Sequence, residues 1–180
     1  DMGLFKSTTF LLSSYDGRYF ANILHGLNPL AFGNVLGYKY AILFSILFFW
    51  FSLITFFKAL FHSTPLKSIF IFSGLILVCN FALSASLVHE LYWLMSSYIY
   101  LYSWCFWLLW VATFIFYLRA QKGSKKSALF ILSNILMFLA FGINEMLLIL
   151  NAASVLFLVY YAKKNYETSY SESFPLVLNM

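Results

Sequence analysis

Residues 41–57 read AILFSILFFWFSLITFF, a stretch with no charged side chain, no glycine and no proline. With the residues before it, this run covers about 38–57, which is long enough to cross a bilayer as one α-helix. Four more apolar runs of similar length follow, at about 68–87, 98–118, 127–143 and 145–162. As one helix, residues 127–162 would measure about 54 Å, so a tight turn is predicted at 142–145. The pattern predicts an all-α, polytopic transmembrane helical bundle of about five spans.

The composition supports the same class of protein. Of 180 residues, 63% are hydrophobic and only 9% are charged, against roughly 25% charged in soluble domains. The runs lack the two-residue alternation of a membrane β-barrel. The net charge of +5 comes from short loops between spans, so the expected partner is a lipid bilayer and not a nucleic acid.

The segment 1–37 is too interrupted by polar residues, glycine and proline to span a membrane. Its apolar residues Phe20, Ile23, Leu24 and Leu27 recur at helical spacing, which predicts a helix in the interface plane that ends at Asn28-Pro29. We predict a single domain, with 1–37 as an external loop and 38–180 as the bundle. A start at Asp1 and a new apolar run at the other end indicate a fragment of a longer protein.

This arrangement of spans places most of the positive residues on one side of the membrane and most of the acidic residues on the other. Eight of the 11 positive residues fall on one side, which the positive-inside rule makes cytoplasmic: Lys58, Lys67, Arg119, Lys122, Lys125, Lys126, Lys163 and Lys164. The other side receives Asp1, Asp16, Glu90 and Glu145. Acids at membrane depth are expensive, and a functional role is the default hypothesis for them. Helix capping and loop solvation are the alternatives for each glutamate.

Other side chains near these acids are candidate ligand-binding residues. Arg18, in Asp16-Gly17-Arg18-Tyr19, has a planar fork that fits phosphate; a surface pair with Asp16 or headgroup anchoring is the alternative. His89, Tyr92 and Trp93 flank Glu90. A stripe of Trp93, Ser97, Tyr100, Trp104 and Trp107 could hold a sugar ring or an isoprenoid chain, or form an aromatic belt.

The remaining polar and sulfur-containing residues of the spans suggest no cofactor. Cys79 and Cys105 lie in apolar runs and are predicted to face lipid or core. Asn80 is expected to hydrogen-bond a neighbouring helix. No metal-ligating triad is visible, although the acidic turns leave a divalent metal as an open possibility.

Three stretches resemble an uncharacterised family of bacterial multi-pass proteins grouped with the GT-C glycosyltransferase superfamily: YDGRYFANIL (15–24), HELYWLMSSYIYLYSWCFWLLW (89–110) and FGINEMLLIL (141–150). That family carries an acidic pair after its first span, a GR-aromatic motif, an acidic turn with aromatics and a later turn ending in Glu. Asp1 matches the second acid of the pair, and Gly17-Arg18-Tyr19 the GR motif. Glu90, Tyr92 and Trp93 match the acidic turn, and Asn144-Glu145 the last.

The resemblance implies a sugar transferase of the bacterial cell envelope, set in the cytoplasmic membrane with its acidic loops outside. Its donor would be a polyprenyl-phosphate-linked sugar, and its acceptor a glycan or lipid. Asp1 would be the likeliest base, with Asp16 and Glu90 as further catalytic acids. Arg18 would bind phosphate, and Tyr19, His89, Tyr92, Trp93, Asn144 and Glu145 would bind substrate. The rival hypothesis is a non-enzymatic membrane protein: a transporter, a lipid-binding protein or an assembly subunit with other membrane partners.

Overall fold

The computed structural model describes residues 19–84, 94–121, 123–144 and 147–166, and within these ranges the chain forms helices and turns with no β-strand. The all-α prediction is therefore confirmed. In chain order the helices are α1 (Tyr19–Gly26), a 3-10 helix (Pro29–Phe32), α2 (Val35–Leu60), α3 (Leu66–Leu83), α4 (Leu94–Ile99), α5 (Leu101–Arg119), α6 (Ser124–Phe141) and α7 (Leu147–Tyr166).

Four helical stretches in the described ranges are long and apolar enough to cross a membrane: Val35–Leu60, Leu66–Leu83, Ser97–Arg119 and Ser124–Phe141. They coincide with the first four predicted spans to within a few residues, so the chain is a multi-pass membrane protein. The fifth predicted span, 145–162, corresponds to α7, which is 20 residues long. The apolar part of α7 that the structure describes in full is shorter, Ile149–Tyr160.

Asparagines set the start of α2 and separate it from α1. The side chain of Asn28 accepts a hydrogen bond from the Leu30 amide, at 3.1 Å, where Pro29 begins the 3-10 helix. The side chain of Asn34 accepts one from the Gly37 amide, at 2.7 Å, and caps α2. Such caps satisfy amides that have no partner within their helix. The predicted stop at Asn28-Pro29 is confirmed.

Helix α5 forms the centre of the bundle. Twelve of its 19 residues are buried, and it packs between α2 on one side and α6 on the other. Ala59, Ala112 and Ile115 are fully buried where α2, α5 and α6 meet. By contrast, α3 packs on α2 and buries only Ile69 and Ser73.

One end of the bundle collects positive side chains, and we refer to it as the basic end. The guanidinium of Arg119 donates to the carbonyl of Ala59, which ties the last turns of α5 and α2 together. The ammonium of Lys58 donates to the carbonyls of His62 and Thr64, both at 2.9 Å. The ammonium of Lys126 lies 5.1 Å from the centroid of the Tyr117 ring. The Arg119 contact pairs a carbonyl that the end of α2 leaves without a partner, and the Lys58 contacts pair two carbonyls of the loop that follows.

Two predictions about single residues in the spans have different outcomes. Cys79 is exposed on α3 and Cys105 is buried, and both are free thiols, as predicted. Asn80 was expected to bond a neighbouring helix, but it lies exposed on α3. The buried span asparagine in the described ranges is instead Asn151 of α7, at 1% exposure.

The close approach at Ala112 yields a test of the packing. Ala112→Leu forces three methylene-sized groups into a filled interface, and we expect a loss of about 1–3 kcal/mol in the free energy of unfolding. Ala128→Leu adds the same groups on the exposed surface of α6 and should change little. Thermal unfolding in detergent, followed by circular dichroism, measures both. Equal midpoints for the two variants would contradict the central position of α5.

Candidate functional site

The predicted site residues are only partly within the described structure. Tyr19 and Asn144 are described, at the start of α1 and after the end of α6. The others lie outside the described residues: Asp1, Asp16, Arg18, His89, Glu90, Tyr92, Trp93 and Glu145. The site must therefore be built from the described flanks of the three motif segments, which are α1, α4 with the start of α5, and the turn 142–144.

The first two flanks that meet are α1 and the turn after α6. The amides of Phe20 and Ala21 donate to the carbonyl of Gly142, at 2.8 and 3.2 Å. The first amides of a helix have no partner within it, and neither do the last carbonyls, so each helix end satisfies the other. Their dipoles also meet head to tail, which is favourable. Helix α1, which begins at Tyr19 of the GR-aromatic stretch, is thereby held against the turn that continues into Asn144.

Tyr19 strengthens this junction with its side chain. Its hydroxyl donates to the carbonyl of Phe138 at 2.6 Å, and its ring lies 4.9 Å from the Phe138 ring, centroid to centroid. Burial raises the pKa of the Tyr19 phenol above its ordinary value, so the hydroxyl remains a donor. Tyr19 was predicted to bind substrate; the structure shows its hydroxyl bonded to α6.

Gly142 is the residue that lets Tyr19 come so close. A Cβ at position 142 would lie 2.3 Å from the Tyr19 ring. The backbone of Gly142, with φ −68° and ψ −8°, is helical and would accept alanine without strain. The need for glycine here is therefore the contact with Tyr19 and not the backbone conformation.

The third flank joins through a group that we name the tyrosine cluster: buried Ala21, Tyr98, Tyr102 and Ile143. Tyr98 and Tyr102 pack edge to face, with centroids 5.3 Å apart, and the His25 ring lies 6.0 Å from Tyr98. Ala21 comes from α1, Tyr98 from α4, Tyr102 from α5 and Ile143 from the turn after α6. One buried cluster therefore contains a residue from each of the three motif stretches.

Buried polar side chains lie next to residues of the tyrosine cluster, in contact with it or adjacent in sequence. The hydroxyls of Tyr102 and Ser45 are 3.1 Å apart. Asn22 is 7% exposed, and its side-chain nitrogen is buried with no hydrogen-bond partner in the described structure. Ser97 and Asn144 are buried as well. Hydroxyl and amide groups beside aromatic rings suit a neutral, hydroxyl-rich ligand, because they donate and accept without a charge to desolvate.

Sequence reasoning missed most of this cluster. It favoured the stripe of Trp93, Ser97, Tyr100, Trp104 and Trp107, yet Tyr100 and Trp104 are 61% and 45% exposed. The buried side of the chain from α4 into α5 instead carries Tyr98 and Tyr102. Tyr98 and Tyr102 are four residues apart, the spacing of neighbours on one face of a helix. Tyr100 and Trp104 have the same spacing, so the sequence did not distinguish the two pairs.

Metal binding finds no support among the described side chains. No group of three or more His, Cys, Asp or Glu side chains occurs within 19–84, 94–121, 123–144 and 147–166. The carboxylates that could hold a divalent metal all belong to the undescribed segments. The described residues of the tyrosine cluster therefore supply hydrogen-bonding and aromatic groups.

No protein-family model, no curated protein and no solved structure matches the chain. The residues and their geometry are therefore what bears on function.

The Tyr19–Gly142 contact can be tested by a double-mutant cycle. Gly142→Ala should lower the unfolding midpoint, because its methyl group displaces the Tyr19 ring from its bond to Phe138. In a Tyr19→Ala background the same methyl group has room, so the effect should vanish. We expect a coupling of about 0.5–3 kcal/mol, the range found for residues in contact.

Gly74→Ala is the matched control for this cycle, because a Cβ there would meet the Trp50 ring at an ordinary 3.7 Å. It should keep or slightly raise stability, since alanine is the better residue in a helix. Additive effects of the Tyr19 and Gly142 substitutions would show that the two residues are not in contact.

Proposed function

We propose that the chain is a membrane glycosyltransferase, or part of one, that transfers a sugar from a polyprenyl-phosphate donor to a glycan or lipid acceptor. The observation that carries the proposal is the tyrosine cluster. It brings together the described flanks of the three stretches that resemble the GT-C family: α1, the α4–α5 region and the turn after α6. Segments that are far apart in sequence but meet at one end of a bundle are typical of a shared site.

The chemistry assigns a role to each motif. A carboxylate, with Asp1 favoured and Asp16 and Glu90 as further candidates, would take the proton from the acceptor hydroxyl. The acceptor oxygen would then attack the anomeric carbon as the bond from that carbon to the phosphate oxygen breaks. Arg18 would stabilise the charge on the departing polyprenyl phosphate. Glu145 would act as a supporting acid.

In this proposal the sugar part of the substrate meets the tyrosine cluster and Asn22. A sugar presents hydroxyl groups, which pair with neutral donors and acceptors such as Asn22 and the Tyr102 hydroxyl. It also presents flat C–H faces, which pack on aromatic rings such as Tyr98. Neutral groups of this kind would orient a sugar, while the acids and Arg18 would act on the bonds that change.

The orientation in this proposal follows the charge distribution. The basic end would face the cytoplasm of a bacterium, because lysine and arginine are retained on that side. The tyrosine cluster and the acidic turns would then face outward, where a polyprenyl-linked sugar meets cell-envelope acceptors.

A transporter is the alternative that one observation favours. Asn151 lies within α7 at 1% exposure, and both polar atoms of its side chain are buried without partners in the described structure. Transporters place polar groups near the middle of their spans. Solute uptake into vesicles containing the protein, lost in Asn151→Leu, would support this alternative.

Conservative replacement of the acids tests the enzymatic proposal. In membranes supplied with polyprenyl-linked sugars, Asp1→Asn should reduce the rate of sugar transfer by roughly 10²–10⁴-fold, the range for loss of a general base. Glu90→Gln should reduce it less, as expected for a supporting acid. Glu172→Gln, an equally conservative change outside the motifs, is the matched control. Full activity in Asp1→Asn, Asp16→Asn and Glu90→Gln alike would remove the proposed base.

Orientation can be measured separately by thiol labelling. Phe32→Cys and Ser63→Cys place thiols at exposed positions at opposite ends of α2, in a Cys79→Ala background. A membrane-impermeant maleimide should label position 32 in intact spheroplasts and position 63 only after permeabilisation. The reverse pattern would place the basic end outside.

A further inference from the structure

We propose that the bundle holds one anionic phospholipid, with its acyl chain in a cleft between α2, α5 and α7 and its headgroup at the basic end. The cleft has a volume of about 310 Å³ and is lined by Phe56, Leu60, Trp107, Val111, Leu150, Ala153, Ser154 and Phe157. The volume lies within the range of ligand pockets, about 300–1,000 Å³. This site is separate from the tyrosine cluster and does not rest on the proposed function.

The chemistry of the lining favours a hydrocarbon chain. Seven of the eight lining residues are apolar, and the hydroxyl of Ser154 is bonded to the Leu150 carbonyl of its own helix at 2.6 Å. The lining therefore has no hydroxyl in need of a partner, and its one buried polar atom without a partner in the described structure is the indole nitrogen of Trp107. Its small residues, Ala153 and Ser154, keep α7 from filling the space beside Trp107. In a membrane, a dry apolar cleft of this kind takes up lipid chains.

The length of the cleft fits one leaflet. Trp107 and Arg119 are twelve residues apart on α5, which corresponds to about 18 Å of helix. Half of a bilayer's hydrocarbon core is about 15 Å thick. An acyl chain that enters at the basic end therefore extends close to the level of Trp107, which lies near the middle of the bilayer.

The charge at the cleft's basic end selects the headgroup. Leu60, which lines the cleft, follows Ala59, whose carbonyl is bonded by the Arg119 guanidinium. Lys58 lies two residues before Leu60 on the same helix. Positive charges near a membrane surface attract anionic lipids over neutral ones.

Tryptophan fluorescence provides the test, because bromine atoms on an acyl chain quench an indole that they contact. The full chain in detergent micelles is titrated with phosphatidylglycerol, and separately with phosphatidylcholine, each with brominated chains. We expect a saturable quenching component at an at least fivefold lower concentration of phosphatidylglycerol than of phosphatidylcholine. The difference should shrink in 0.5 M salt, because salt screens the headgroup attraction.

Variants assign the saturable component to the cleft. Ala153→Phe places a ring in the cleft and should abolish the component, and Trp107→Phe should remove its reporter. Ala152→Phe adds the same ring beside the cleft, at an exposed residue that does not line it, and should leave the component intact. If Ala153→Phe fails to fold, Ala153→Leu should still weaken binding at least threefold.

Three results would overturn the proposal. Quenching that rises linearly with lipid and never saturates would mean that lipid only surrounds the bundle. A saturable component that survives in both Ala153 variants would locate the lipid elsewhere. Equal affinity for phosphatidylcholine would show a site for a neutral chain, without headgroup selection at the basic end.

Discussion

The bundle depends on how closely its helices can approach α5 in a medium without water. Lipid chains are as apolar as the side chains that they meet, so helices associate by close packing at small residues. Buried hydroxyls make this possible, because Ser45, Ser52 and Thr113 each bond a carbonyl one turn earlier in their own helix, at 2.6–2.8 Å. These side chains are small, and each hydroxyl already has a partner within its own helix; the Ser45 hydroxyl also lies 3.1 Å from that of Tyr102 on α5.

Two groups of polar side chains lie at opposite ends of α5. At the basic end, Arg119 and Lys58 bond the last carbonyls of α2 and of the loop after it. At the other end, Tyr98 and Tyr102 carry neutral polar groups next to α1, and Asn22 of α1 is buried as well. The described side chains at the two ends therefore differ in charge: cationic at the basic end and neutral at the tyrosine cluster.

The spans could be predicted from sequence because hydropathy identifies each helix without reference to the others. The face that a span buries could not, since α5 is apolar all round and offers no polar side to orient it. Tyr98 and Tyr102 therefore looked no different from Tyr100 and Trp104, which face outward. The same ambiguity explains why Asn80 was predicted to bond a neighbouring helix, whereas the buried asparagine of the described spans is Asn151. The motifs define the segments from which the candidate site is built, but the bond from α1 to Gly142 depends on tertiary contact and could not be read from them.

The docking of α1 has its own free energy, separate from that of the packed spans. Helix α1 has eight residues, too few to form a stable helix alone in water, and it does not span the membrane. What orders it is docking: the two amides on Gly142, the Tyr19 bond to Phe138 and the insertion of Ala21 beside Tyr98. These contacts are few compared with the core around α5. Local opening should therefore release α1 while the spans stay packed, because segments with few buried contacts open at lower free energy than the core. Assembly of the site is thus a separate step from assembly of the bundle, and a substrate that touches both α1 and Tyr98 would stabilise the docked form.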